Sequence, residues 1–111
     1  MKTIIIDAKN HKKEIKRTKK PVLLSFAGTY GISAFLLKQT ADSLSDELQD
    51  EIKIGIVEMN SQNAALARKY NVRFLPTTLL IQHGKVTDRI IGNMSKDDLI
   101  RVLETSQSRI P

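Results

Sequence analysis

No cysteine occurs among the 111 residues of this chain. Disulfide exchange needs a thiolate to attack a sulfur and a second thiol to resolve the mixed disulfide. The polypeptide therefore has no nucleophile for that chemistry. No stretch approaches the roughly 18 consecutive apolar residues of a membrane span. The opening run Thr3-Ile4-Ile5-Ile6 is too short for a secretory signal, and a cytoplasmic setting is expected. Histidine is scarce, and neither His11 nor His83 has an Asp, Glu or His neighbour at ligand spacing. No metal and no cofactor are expected.

Other catalytic patterns are missing as well. Gly28-Thr29-Tyr30-Gly31 lacks the Gly-Lys-Ser/Thr ending of a phosphate-binding loop, and its glycines serve a permissive turn. Ser33 has no base placed beside it in the sequence and reads as a residue of a first helical turn. Asp42, Asp46, Glu47, Asp50 and Glu51 line a helix exterior as solvated charge.

What the chain does have is a core and an uneven charge. At 111 residues it fits a single domain over 1–111, with a basic strand–helix segment at 1–20 and a core at 21–107. A domain of this size buries roughly 60–70% of the surface of its unfolded chain, enough to fold without staples. The formal charge is +6, and all of it lies in the first twenty residues. Lys2, Lys9, Lys12, Lys13, Lys16, Arg17, Lys19 and Lys20 face only Asp7 and Glu14 there. Such a cluster attracts nucleic acid, anionic lipid or an acidic protein face; it equally makes a solvated face that aids solubility. No aromatic residue interleaves with it for base stacking.

Periodicity orders the elements. The β-branched run Thr3–Ile6 suits a strand, and Asp7 is placed to cap a helix across 8–18 that has only Ala8 and Ile15 as apolar anchors. Pro21 ends that segment, and Val22–Ala27 reads as a central strand. Leu37, Ala41, Leu44 and Leu48 recur at spacings of four, three and four, the stripe of a helix packed on a sheet. Ile52–Met59 is the next strand. Asn60 or Ser61 is placed to cap a short helix through Tyr70, with Asn71 as its left-handed stop. Thr77–Gln82 and Lys85–Ile91, joined through His83-Gly84, form an antiparallel hairpin. Ser95 caps the last helix, whose inner face is Leu99, Val102 and Leu103. The order βαβαβαββα predicts an α/β chain with a mixed sheet flanked by helices.

That order, with Pro21–Phe26 leading to a loop, Ala67–Thr77 ending in Leu75-Pro76-Thr77, and Ile91-Gly92 before a capped helix, resembles thioredoxin. The likeness covers nearly the whole chain, most clearly 21–104. It implies the thioredoxin fold and a cis proline at Pro76 that faces the redox motif and also builds a tight turn. The departures gather at that motif. Tyr30-Gly31-Ile32-Ser33-Ala34 stands where the family has Trp-Cys-Gly-Pro-Cys, so Gly31 and Ala34 take the cysteine positions. Ser25 replaces a buried aspartate, Glu58 a lysine that the family often has near it, and Gln39 a kinking proline. Swapping cysteines alone would leave these neighbours in place, so the pattern points to a redox-silent relative.

Three functions follow as expectations. The first is a non-covalent protein- or peptide-binding module whose groove, carried over from the resemblance, is Tyr30, Gly31, Ile32, Leu75, Pro76, Ile91, Gly92 and Asn93. The second is a degenerate or cysteine-substituted disulfide oxidoreductase. The third is a polyanion-binding surface at Lys9, Lys12, Lys13, Lys16, Arg17, Lys19 and Lys20.

Overall fold

The alternation of side chains along the apolar runs decides the layers of the fold. The computed structural model describes residues 3–48, 51–93 and 95–108, and Lys2 and Asp50 lie outside them. Strands Ile4–Ile5 (β1), Val22–Ala27 (β2), Lys53–Glu58 (β3), Thr77–Gln82 (β4) and Lys85–Ile91 (β5) form one mixed sheet in the order β1-β3-β2-β4-β5. β3 runs parallel to β1 and β2, whereas β4 runs antiparallel to β2 and β5. The helices are Ile32–Leu48 (α1), Ala64–Lys69 (α2) and Lys96–Ser108 (α3). This is the α/β thioredoxin fold expected from the sequence.

Every residue of β2 is buried, because successive side chains point to opposite, covered faces. Val22, Leu24 and Phe26 join Val57, Leu79 and Ile81 beneath Ile6, Ile15, Leu66, Ala67 and Tyr70. Leu23, Ile54, Ile56 and Leu80 face Ala41 and Leu44 of α1 and Leu99 and Leu103 of α3. Val102 is only half-buried, and Ile100 packs against that cluster. Gly55 admits a close approach: a Cβ there would sit 2.7 Å from Cγ1 of Ile6.

Local caps act as the sequence indicates. The Asn60 side chain accepts from the amides of Gln62 and Asn63, Asn71 is left-handed at φ 59°, and the Ser95 hydroxyl accepts from the Asp98 amide at 3.2 Å.

The helix expected across 8–18 does not form. Its place is taken by a turn and one π-helical turn, Lys12–Lys16, closed by the Arg17 amide on the Lys12 carbonyl at 3.1 Å. Asp7 does cap the start, accepting from the amides of Lys9 (2.8 Å) and Asn10 (3.0 Å). Beyond it, Lys9/Lys13, Lys12/Lys16 and Lys13/Arg17 would become like-charged neighbours at i,i+4 on an α-helix, each pair destabilising by a few tenths of a kcal/mol. The segment is instead pinned by Ile15 and by His11, each nearly fully buried. His11 Nε2 and the Tyr70 hydroxyl share a hydrogen bond at 2.6 Å, their rings edge-on.

Burial, followed by the charges of Lys69, Lys16 and Lys12, lowers the His11 pKa. The unfolded chain therefore takes up this proton at a higher pH than the folded one. Stability is full above the ordinary histidine value of about 6.5 and falls as pH drops below it. We expect the urea midpoint to decline between pH 8 and pH 5.5, and the His11→Gln variant to lose most of that decline. An unchanged pH profile in the variant would show that His11 does not couple to folding.

Candidate functional site

β2 ends at Ala27, where the Met59 amide bonds its carbonyl at 2.9 Å, and the chain turns through Gly28–Gly31 into α1. The site thus lies beyond the carboxyl ends of two parallel strands, the usual place for a ligand on an open α/β sheet. From the other side comes the loop before β4, whose Leu75–Pro76 peptide is cis. Tyr30, Leu75 and Pro76 meet around a pocket of about 200 Å³ completed by Ala27, Gly28, Ser33 and Ala34. Gly92 and Asn93 are tied to it: the Gly92 amide donates to the Pro76 carbonyl at 2.8 Å, and Asn93 Nδ2 donates to Ser33 Oγ at 3.1 Å. Ile91 lies one step aside, lining a neighbouring hollow with Phe74, Thr77 and Arg89. Gly31 and Ile32 line neither hollow; they form the exposed rim.

The rim is apolar and open to solvent. Tyr30 is 91% exposed and Ile32 79%, while Ile91, Phe74, Phe35 and Leu75 are exposed by about half or more. Phe35 and Phe74 are members that the sequence reading missed. Phe35 sits three residues after Ile32, so the two share a side of α1, and it falls off the buried Leu37–Ala41–Leu44 stripe. An off-stripe aromatic on an amphipathic helix is the signal that would have found it. Among the described residues, none pairs with the Leu75 amide or carbonyl.

The chemistry of the former redox positions is neutral. Gly31 has φ +105°, a backbone state that an L side chain adopts only with strain. A cysteine here would have to change the loop, not merely fill a space. Ala34 is buried. Ser25, where the resemblance expects an aspartate, is buried and shares a 2.8 Å hydrogen bond with the Thr78 hydroxyl across β2 and β4. Two neutral hydroxyls satisfy each other without a proton to relay. Glu58 pairs with Lys38 of α1 at 3.4 Å. Ser33 is a hydrogen-bond acceptor for Asn93, not a nucleophile beside a base.

The seven basic residues Lys9, Lys12, Lys13, Lys16, Arg17, Lys19 and Lys20 are all exposed. Their segment packs on the sheet face that carries α2, opposite α1 and α3. They therefore form a second surface, separate from the pocket residues. Among the described residues no cluster of acidic or histidine side chains could hold a metal ion, and no helix is long and apolar enough to cross a membrane.

Comparison with known proteins agrees with this geometry. The thioredoxin family model matches residues 2–105. A thioredoxin of Griffithsia pacifica is 28% identical over 101 residues, covering 90% of each chain. One of Rickettsia conorii is 31% identical over 90 residues, covering 80% of this chain and 84% of its own. One of Chlorobaculum thiosulfatiphilum is 27% identical over 96 residues, covering 86% and 88%.

The two loop glycines should respond differently to substitution. Gly31→Ala forces a side chain into positive φ and is expected to cost about 1–2 kcal/mol. A Cβ on Gly28 meets only the Tyr30 carbonyl, at an ordinary 3.7 Å, so Gly28→Ala should change stability by less than about 0.5 kcal/mol. Chemical denaturation of both variants checks this, and equal effects would contradict the left-handed conformation at residue 31.

Proposed function

The chain belongs to the thioredoxin family, and we propose that it works without thiol chemistry, as a non-covalent module that holds an extended, apolar segment of a partner protein in the former active-site groove. The observation that carries this reading is the Leu75 peptide group, unpaired among the described residues and accompanied by the exposed apolar side chains Tyr30, Ile32, Phe74 and Ile91. An extended segment laid beside Leu75 would form the main-chain hydrogen bonds of strand addition. Tyr30, Ile32, Phe74 and Ile91 would supply the apolar contacts that select its side chains. Fully covering an isoleucine-sized side chain contributes roughly 1.5–3 kcal/mol, so a few such contacts reach useful affinity without a covalent bond.

A degenerate oxidoreductase is the competing reading, and three features weigh against it. Positions 31 and 34 hold no sulfur. The Gly31 backbone is unsuited to a cysteine. Ser25 offers a hydroxyl paired with Thr78 in place of a carboxylate. Each would need repair before disulfide reduction could run at speed.

The pocket beside Tyr30 carries no charged side chain, so the part of the segment seated there should be uncharged and apolar, whereas Arg73 and Arg89 line the hollow of Phe74 and Ile91. Selection of a random peptide library on the protein under reducing conditions should enrich such sequences. Isothermal titration should then show at least tenfold weaker binding to the Tyr30→Ala/Ile32→Asp variant, or about 1.4 kcal/mol. Enriched peptides that bind both proteins equally would place recognition elsewhere and end the groove reading.

A further inference from the structure

The basic segment carries a second assignment, independent of the groove. We propose that Lys12, Lys16 and Lys69, together with the flanking Lys9, Lys13, Arg17, Lys19 and Lys20, form a phosphate-binding face for the backbone of double-stranded nucleic acid.

The convergence of cations is built by the fold. The hydrogen bond between His11 and Tyr70 locks the π-helical turn onto the end of α2. Lys12 follows His11 in the chain and Lys69 precedes Tyr70, so the lock brings two cations from distant parts of the sequence to one place. Lys16 joins them, one residue after the buried anchor Ile15. The crowding registers on the ammonium groups. Contact with the Lys16 side chain, then partial desolvation and the charges of Lys16 and Lys12, hold Lys69 below the ordinary lysine value. An anion placed among these groups would relieve that repulsion.

The segment's own acids do not neutralise it. Asp7 is engaged with the amides of Lys9 and Asn10, and Glu14 pairs with Lys53 of β3 at 3.2 Å. Lys9, Lys12, Lys13, Lys16, Arg17, Lys19 and Lys20 remain exposed beside them.

The composition of the surface selects the partner. From residue 9 to residue 20 the only apolar side chain, Ile15, is buried, so the segment has no side chain to insert among acyl chains and would meet a bilayer by surface charge alone. No aromatic ring is offered for stacking on unpaired bases, the main device of single-strand binders. Lysines presented as point charges suit the regular phosphates of a duplex, bound without reading its sequence.

Fluorescence anisotropy with a labelled mixed-sequence DNA duplex, and with an RNA duplex of the same sequence, tests the proposal. Binding to either should weaken with salt at a log–log slope of about −4, the value for four to five neutralised phosphates. The Lys12→Glu/Lys16→Glu/Lys69→Glu variant should bind at least tenfold less tightly, whereas Tyr30→Ala/Ile32→Asp should bind as the unaltered chain does. Lys12→Gln/Lys16→Gln/Lys69→Gln, which adds no repulsion, should fall between the two. No duplex binding at low salt, equal binding by the charge-reversed protein, or binding confined to phosphatidylserine vesicles or polyglutamate would each overturn it.

Discussion

The backbone ladder through β2 is the constraint on which the rest of the molecule depends. Residues Val22–Ala27 pair in parallel with Lys53–Glu58 on one edge and, through Val22–Phe26, in antiparallel fashion with Thr77–Ile81 on the other. Neither pairing can slip by one residue, because a slip would turn Leu24 and Phe26 out of one core and Leu23 out of the other. With that register held, the Gly28–Gly31 loop and the Leu75–Pro76 loop must emerge side by side. The place of the groove is thus a product of strand pairing, while its lining is set by the motif residues Tyr30, Ser33 and Ala34.

That separation of frame from chemistry explains how a chain of this family can lose its thiols and keep its site. The ladder tolerates Ser25 because Thr78, its register partner, supplies a hydroxyl at hydrogen-bond distance; a buried polar group so satisfied costs little. Gly31 needs no neighbour at all, since nothing lies within 4 Å of where its Cβ would be. At these two positions charge and sulfur are absent, and Ser25 stays buried. The result is an uncharged concavity with an apolar rim, whose remaining polar groups are peptide groups and hydroxyls.

Much of this was legible in the sequence wherever a residue pattern had a single physical solution. The short apolar run Val22–Ala27 after Pro21, the Leu37–Ala41–Leu44 stripe and the Ser95 cap are such patterns. The segment 8–18 was less legible, because its capping residue argued for a helix while the side chains behind it repelled one another. The outcome depended on His11 and Ile15 finding a buried place against the sheet. The His11–Tyr70 bond joins residues 59 apart, the second just past the end of α2, and a lone histidine in a lysine-rich run gives no local sign of it. Phe35 and Phe74 are hard to read from sequence for a related reason. Exposure of an aromatic is set by tertiary packing, and only their place off the buried pattern hints at it.

The molecule therefore presents two surfaces of opposite character, an apolar groove at the strand ends and a cationic face over α2, held by one sheet. Its central claim is that the groove is a working surface. The most direct measurement is hydrogen–deuterium exchange at the Leu75 amide, followed by NMR as a bound peptide or partner is added under reducing conditions. If an extended segment pairs there, exchange at Leu75 slows in proportion to occupancy, while Ala64–Lys69 amides in α2 stay as they were. If the partner binds and Leu75 continues to exchange as in the free protein, the groove is an inherited shape and the account is wrong.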